Sequence, residues 1–338
     1  MGLAMANEWT MDKQRAPRNR TLTCTIEEMK SLAEQIIEEP VSLSVHEIEG
    51  RVVCGDTFEV LPILPPGFVD LLVVDPPYNL SKNYNGHLFK EKEKEDYSDW
   101  FELFIQKAKA VLKPDATVYI CSDWRTSVLI APILEKYLYV HNRITWEREK
   151  GRGAKSNWKN NTEDIWFCSN SKNYYFDVDS VKLKRKVIAP YRINGKPKDW
   201  DEEEGGNYRL TYPSNIWSDI SVPFWSMPEN TDHPTQKPEK LIAKLVLASS
   251  KEGDFVLDPF LGSGTTAVVA KKLNRRFSGI EQNREYCCWA LKRLGLADSE
   301  NEIQGYADGV FWERNSLNDQ PKQKSSTDLS ENLSLFDE

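Results

Sequence analysis

The 338-residue sequence contains no apolar run long enough to span a bilayer. Its polar amino end offers no apolar stretch of the kind a secretory signal requires. Histidine is scarce, at four scattered residues, and the six cysteines show no C-x-x-C spacing even though Cys287 and Cys288 are adjacent. A zinc site and a disulfide framework are therefore not expected, and a reducing compartment fits. An excess of positive charge is missing too: the net charge is −8, which on its own argues against a nucleic-acid partner. No internal repeat is visible. A glycine-rich turn exists at Gly262-Ser263-Gly264, but no lysine follows Gly264, which excludes a triphosphate-binding P-loop.

What is present starts with a core. Hydrophobic residues make up 40% of the chain, enough for one large α/β domain with an insertion, or for two domains. The apolar run Val69 to Val74 reads as a strand buried on both faces. It stops abruptly at Asp75-Pro76-Pro77-Tyr78. Tandem prolines have no N–H to donate and fix their φ angles, so the carbonyls beside Asp75 are held outward. In open α/β sheets, ligands bind at the carboxyl ends of strands. A carboxylate, a rigid carbonyl and an aromatic face suit a flat ring carrying an amino group, although a plain strand followed by a proline-rich turn has the same letters.

A second strand, Phe255 to Leu257, also ends in an acid, Asp258, and runs on through Pro259-Phe260-Leu261-Gly262-Ser263-Gly264-Thr265-Thr266 into a helical pattern. Glycines permit close approach of a ligand to the backbone, and the helix amino end presents free N–H groups. After the next strand, Phe277 to Ile280, Glu281 stands where an acid can take two ribose hydroxyls. An acid beside such a turn suits a nucleoside with a cationic or amino-acid tail better than a triphosphate.

Together these stretches resemble the S-adenosylmethionine-dependent DNA amino-methyltransferases. The D-P-P-Y motif precedes the D-P-F-x-G-S-G-T-T motif, the permuted order of that family's β group, and His233-Pro234-Thr235-Gln236-Lys237-Pro238 lies just before the latter. The resemblance covers roughly residues 45 to 295. It implies a doubly wound, mostly parallel α/β sheet of Rossmann-like methyltransferase type, circularly permuted in motif order, with an inserted target-recognition region. It also implies S-adenosylmethionine as cofactor and duplex DNA as partner, acting in the cytoplasm on the nucleoid. Asp75, Pro76, Pro77 and Tyr78 are then the catalytic set. Cofactor contacts are carried over to Asp56, His233, Thr235, Lys237, Asp258, Phe260, Gly262, Ser263, Gly264, Thr265, Thr266 and Glu281. No metal is implied.

The organisation expected is a 1–44 extension, a catalytic half at 45–170, a target-recognition insert at 171–230, a cofactor half at 231–297 and a polar, disordered tail at 298–338. Within the extension, Thr25-Ile26-Glu27-Glu28 reads as a capping box opening an amphipathic helix that Pro40 ends. Asn79 to Tyr97 is polar and reads as a mobile loop. The charge distribution answers the net charge. Lys182, Lys184, Arg185, Lys186, Arg192, Lys196 and Lys198 lie in a stretch without an acid, and Arg143 to Lys159 is also basic. Such a face can bind DNA on an acidic protein, with salt-dependent affinity. Lys182, Lys184, Arg185, Lys186, Arg192 and Lys155 are the expected phosphate contacts. Trp158 faces DNA by the same resemblance, while Trp146 and Trp166 fit the core as well as they fit a base-stacking role.

The implied chemistry is direct methyl transfer to an exocyclic amino nitrogen of a base flipped out of the duplex. Asp at the first position of D-P-P-Y favours adenine N6 within the family; cytosine N4 is the alternative. An RNA or protein methyltransferase, or an inactive DNA-binding module, fits the motif order or the intact motifs less well. Many relatives dimerise, but no dimer interface can be read here. Finally, Asn332-Leu333-Ser334-Leu335-Phe336 resembles the Q-L-S-L-F pentapeptide that attaches bacterial DNA-processing proteins to the sliding clamp, with Asn in place of the preferred Gln.

Overall fold

The computed structural model describes residues 15–38, 40–84, 87–148, 155–187, 191–203, 206–314, 316 and 320. The first helix, α1 (Ile26–Ala33), opens with the expected capping box: the Thr25 hydroxyl accepts from the Glu28 N–H, and the Glu28 carboxylate accepts from the Thr25 N–H. It stops short of Pro40, because the chain enters a strand, β1 (Ile37–Glu38). Next come α2 (Val45–Ile48), β2 (Arg51–Cys54), α3 (Thr57–Val60), β3 (Val69–Val74), and the paired strands β4 (Lys82–Tyr84) and β5 (His87–Phe89). They are followed by α4 (Lys94–Val111), β6 (Leu112–Ser122), α5 (Trp124–Tyr137), β7 (Tyr139–Glu147) and β8 (Thr162–Ser169). The middle of the chain holds β9 (Leu183–Lys186), the pair β10 (Arg192–Ile193) and β11 (Lys196–Pro197), β12 (Asp201–Glu203), β13 (Gly206–Thr211) and β14 (Ile216–Trp217). Last come α6 (Glu239–Ser249), β15 (Phe255–Asp258), α7 (Thr265–Lys272), β16 (Arg276–Glu281), α8 (Arg284–Leu296), β17 (Tyr306–Ala307) and β18 (Val310–Trp312).

Among the described residues a nine-stranded sheet runs in the order β1-β2-β16-β15-β3-β6-β8-β7-β14. β8 is antiparallel to β6 and β7, and the other neighbouring pairs are parallel. Alternation along β3 explains its apolar run from Leu71 to Val74. Leu71 and Val73 pack on one face with α6, α7 and α8, whereas Leu72 and Val74 pack on the other with α4 and α5. This is the doubly wound α/β architecture that the motifs imply. β3 pairs in parallel with β15, Leu72 opposite Leu257. The chain leaves β3 toward β6 on one side and leaves β15 toward β16 on the other, so the strand order reverses between them. Among the described residues no helix is long and apolar enough to cross a membrane.

Three boundaries differ from the sequence expectation. The 1–44 extension is partly built into the domain, since β1 pairs with β2 at the sheet edge and the Cys288 thiol of α8 reaches the Met29 carbonyl of α1. The 171–230 insert has regular structure: β14 extends the main sheet beside β7, and β12, β13 and β9 begin a second sheet of order β12-β13-β9-β18-β17. That second sheet draws its last two strands from beyond residue 298, so the segment through Trp312 is folded rather than tail. Polar composition hides the signal, which is a two-residue hairpin turn. Asp308 and Gly309 both have positive φ (52° and 74°) between Tyr306-Ala307 and Val310-Phe311. Phe311 is fully buried and packs against the main core, opposite Leu183 of β9. Beneath the junction, Lys240 and Lys244 of α6 both pair with Asp219 at 2.8 Å, and the Lys240 ammonium also donates to the Trp312 carbonyl. The 332–336 pentapeptide lies outside the described residues.

Truncating Phe311 to Ala should therefore cost about 3–5 kcal/mol, the range for a buried phenylalanine. Urea denaturation checks it; a residue of a disordered tail would leave the midpoint unmoved.

Candidate active site

The carboxyl end of β3 delivers Asp75 into a tight polar cluster. Its Oδ1 accepts from the Tyr78 hydroxyl at 3.0 Å and its Oδ2 from the Lys237 ammonium at 2.6 Å. The Pro77 carbonyl accepts from the Tyr97 hydroxyl of α4 at 2.9 Å, which locks the turn. Glu163 of the reversed strand β8 closes the cluster. It lies 3.3 Å from Lys237, accepts from Tyr78 at 3.2 Å, and pairs with Arg148 at 2.6 Å. Burial pushes the Asp75 carboxyl up, with Lys237 opposing and Glu163 adding to the rise. Burial also opposes ionisation of Glu163, yet Lys237 and Arg148 hold it below the usual range. The Lys237 ammonium loses solvent, but Asp75 and Glu163 keep it firmly protonated.

The second strand end is organised differently. Asp258 accepts from the Thr266 hydroxyl at 2.6 Å and the Phe260 N–H at 3.0 Å, and burial pushes its carboxyl up to about 7. Its oxygens thus tie the turn to α7. Gly264 is needed for packing: its φ is +87°, and a Cβ there would sit 2.6 Å from the Ala290 Cβ of α8. Arg293 donates to the Ser263 carbonyl and the Thr265 hydroxyl, and is itself held by Glu239 at 2.9 Å. Glu281, at the end of β16, accepts from the N–H groups of Gly262 and Asn283, each at 2.8 Å.

Between these strand ends opens a cavity of about 380 Å³, within the range of small-molecule sites. Of the residues singled out from sequence, Asp56, Asp75, Pro76, Pro77, Tyr78, His233, Thr235, Phe260, Gly262 and Glu281 line it. Asp56 caps α3 through the Phe58 N–H. Asp258, Ser263, Gly264, Thr265 and Thr266 do not line it; they are buried and shape the turn beneath it. Lys237 lines an adjoining smaller cavity and belongs with Asp75 rather than with the glycine turn. Sequence reading missed Glu163, Arg148 and the aromatic wall of Phe58 and Trp100, whose ring centroids are 5.5 Å apart, with Phe260 beyond. Glu163 and Asp164 are two acids leading straight into the apolar part of β8, and that was the available signal.

The basic stretch also reads differently in space. Lys182 pairs with Asp179, Lys184 with Glu203, Arg185 with Glu313 and Arg192 with Glu202. Asp179, two acids of β12 and Glu313 just past β18 thus pair with a stretch that has no acid of its own. Lys186 is exposed at the end of β9. Lys155 and Trp158 lie in the loop between β7 and β8, where Trp158 is 90% exposed. Trp146 is core, its indole N–H donating to the Ile220 carbonyl. The polar segment after Tyr78 begins pinned: the Asn79 amide exchanges hydrogen bonds with the Lys92 backbone.

A family model described as DNA methylase matches residues 69–292, and the chain belongs to that family. It is 35% identical over 262 residues to the type II methyltransferase M.HpaI of Haemophilus parainfluenzae, covering 77% of each chain. It is also 35% identical over 254 residues to the DNA adenine methyltransferase YhdJ of Escherichia coli K12, covering 73% of this chain and 83% of that one. Among solved structures, M1.HpyAVI in its complex with SAM is 26% identical with a TM-score of 0.50, covering 72% of this chain and 98% of that one. The cytosine-N4-specific PvuII DNA methyltransferase, at 20% identity and a TM-score of 0.55, covers 72% of this chain and 86% of that one and shares the fold.

His233, against Gly262 and Tyr286, is held by burial and by nearby Lys237 to a pKa of about 3. Its imidazole should stay neutral from pH 8 to 5, which side-chain NMR titration reads directly. Because the unfolded chain binds this proton at the ordinary histidine pKa and the native chain does not, stability should fall as pH drops from there toward 3.

Proposed function

We propose that this protein transfers the methyl group of S-adenosylmethionine to the N6 amino group of adenine in duplex DNA. The observation that carries the reading is the single cavity joining the Asp75-Pro76-Pro77-Tyr78 end of β3 to the Gly262 turn and Glu281 at the ends of β15 and β16. Support comes from the adenine-methylating relative at 35% identity and from the SAM complex of a structural neighbour.

The lining fits the cofactor. Glu281 offers a carboxylate to ribose hydroxyls, the Gly262 backbone admits close approach, and Phe58, Trp100 and Phe260 supply a wall for a purine. Asp56, His233 and Thr235 complete the cofactor-side lining. When bound, S-adenosylmethionine supplies an electrophilic sulfonium methyl. The protein must make the target nitrogen nucleophilic, since its lone pair is delocalised into the base. Asp75 and the Pro76 carbonyl each accept one N–H, drawing the nitrogen toward tetrahedral geometry and aiming its lone pair. The Tyr78 hydroxyl is tied to Asp75, so its ring is fixed as a stacking surface. Transfer is direct, and the proton leaves the methylated nitrogen toward Asp75. A duplex hides this nitrogen, so the base is flipped into the cavity. The 171–230 insert, with the Lys155–Trp158 loop, faces the duplex in this reading.

Nucleoside analysis of DNA methylated by the purified protein should give N6-methyladenine; N4-methylcytosine in its place would overturn the assignment. Asp75→Ala should lower turnover at least tenfold while cofactor affinity in calorimetry stays within a few-fold of wild type. Gly262→Val should instead weaken cofactor binding, because φ is +56° and a Cβ already meets the His233 ring at 3.0 Å. Unchanged affinity in a folded variant would remove Gly262 from the cofactor contact.

A further inference from the structure

We propose that Lys237 and Glu163 are positioning residues for Asp75: Lys237 keeps the Asp75 carboxylate ionised and turned to the cavity, and Glu163, braced by Arg148, keeps Lys237 and the Tyr78 hydroxyl in place. The proposal rests on the reading of Asp75 as acceptor of the target amino group. The geometry accounts for every donor. An ammonium has three protons, and Lys237 has three acceptors around it: Asp75 Oδ2 at 2.6 Å, the Tyr78 hydroxyl oxygen at 3.3 Å and Glu163 at 3.3 Å. At 7% side-chain exposure, the lysine has almost no water to turn to instead. The Tyr78 proton serves Asp75 or Glu163, one at a time. Each Asp75 oxygen thus takes one donor from the protein and keeps a lone pair for a substrate N–H.

Charge explains why both residues are required. A carboxylate at a buried strand end tends to hold its proton, and a protonated Asp75 loses its ability to accept an amino N–H. Lys237 opposes that tendency. Alone, however, a buried ammonium would be free to neutralise Asp75 completely and draw it out of the cavity. Glu163 divides the lysine between two carboxylates, and Arg148 divides Glu163 in turn, so two acids and two bases balance. The other groups facing Asp75 are Lys82, Asp258, Cys121 and the Tyr78 hydroxyl; His233 faces Lys237. The Cys121 thiol and the Tyr78 hydroxyl are pushed far up by burial and stay neutral.

The test is the acid limb of kcat against pH, with purified full-length protein and an adenine-containing duplex. Removing the cation in Lys237→Met should raise the limb by about one pH unit or more, and removing the competing carboxylate in Glu163→Gln should lower it by a similar amount. Lys237→Arg should restore most of the wild-type limb. Cofactor affinity by calorimetry should stay within threefold in all three, which separates positioning from cofactor binding. Arg148 is a third exposed. Arg148→Gln should raise the limb, and it carries the test if Glu163→Gln fails to fold. Limbs that do not move, or that move in the same direction in Lys237→Met and Glu163→Gln, overturn the positioning roles while wild-type activity stands. Wild-type protein that methylates no adenine overturns the underlying reading itself.

Discussion

Everything in this molecule depends on two parallel strands lying side by side. β3 and β15 are far apart in sequence, yet Leu71 faces Val256 and Leu72 faces Leu257. Because the strands are parallel, both carboxyl ends emerge at the same edge. Because the strand order reverses between them, the connections leave in opposite directions and the space above the pair stays open. Asp75 and the glycine turn meet there for that reason alone. The apolar faces on either side, α4 and α5 below one, α6 to α8 below the other, serve to hold this pairing rigid.

The two strand ends solve the problem of a buried acid in opposite ways. Asp258 makes no ion pair among the described residues, is driven toward neutrality by burial, and spends its oxygens on Thr266 and the Phe260 N–H. Asp75 is also pushed up by burial, but it is given Lys237 as an ion-pair partner at 2.6 Å beside the cavity. Similar letters at equivalent places therefore have different partners, and the difference is one lysine that arrives from the loop before α6. The same loop carries His233, whose neutral ring packs on Gly262. It thus touches both strand ends.

Most of this was legible in the sequence, for physical reasons. Strands buried on both faces are continuous apolar runs, and strand ends at a switch point carry the acids, prolines and glycines that binding demands. Val69 to Tyr78 and Phe255 to Thr266 could be read directly. What stayed hidden were contacts that local pattern does not encode. Glu163 looks like one of two acids at a strand start until β8 is placed antiparallel beside β6. The pairing of Lys184 and Arg192 with acids of β12 depends on a hairpin register. The β17–β18 turn carried the Asp-Gly signature between Tyr306-Ala307 and Val310-Phe311, but the polar stretches beyond these short strands masked it.

The second sheet has a consequence for modularity. β9 sits between β13 and β18, so the region that distinguishes this chain from a bare catalytic domain is assembled from two separate lengths of sequence, before and after the glycine turn. The Lys240 and Lys244 ammonium groups, shared with Asp219 and the Trp312 carbonyl, fasten both lengths to one helix of the core. Recombination that exchanges the 171–230 segment alone would strand Phe311 without Leu183 and leave two buried cations without their acid. A foreign insert grafted there would have to bring its own partner for Phe311 and its own acid for Lys240 and Lys244.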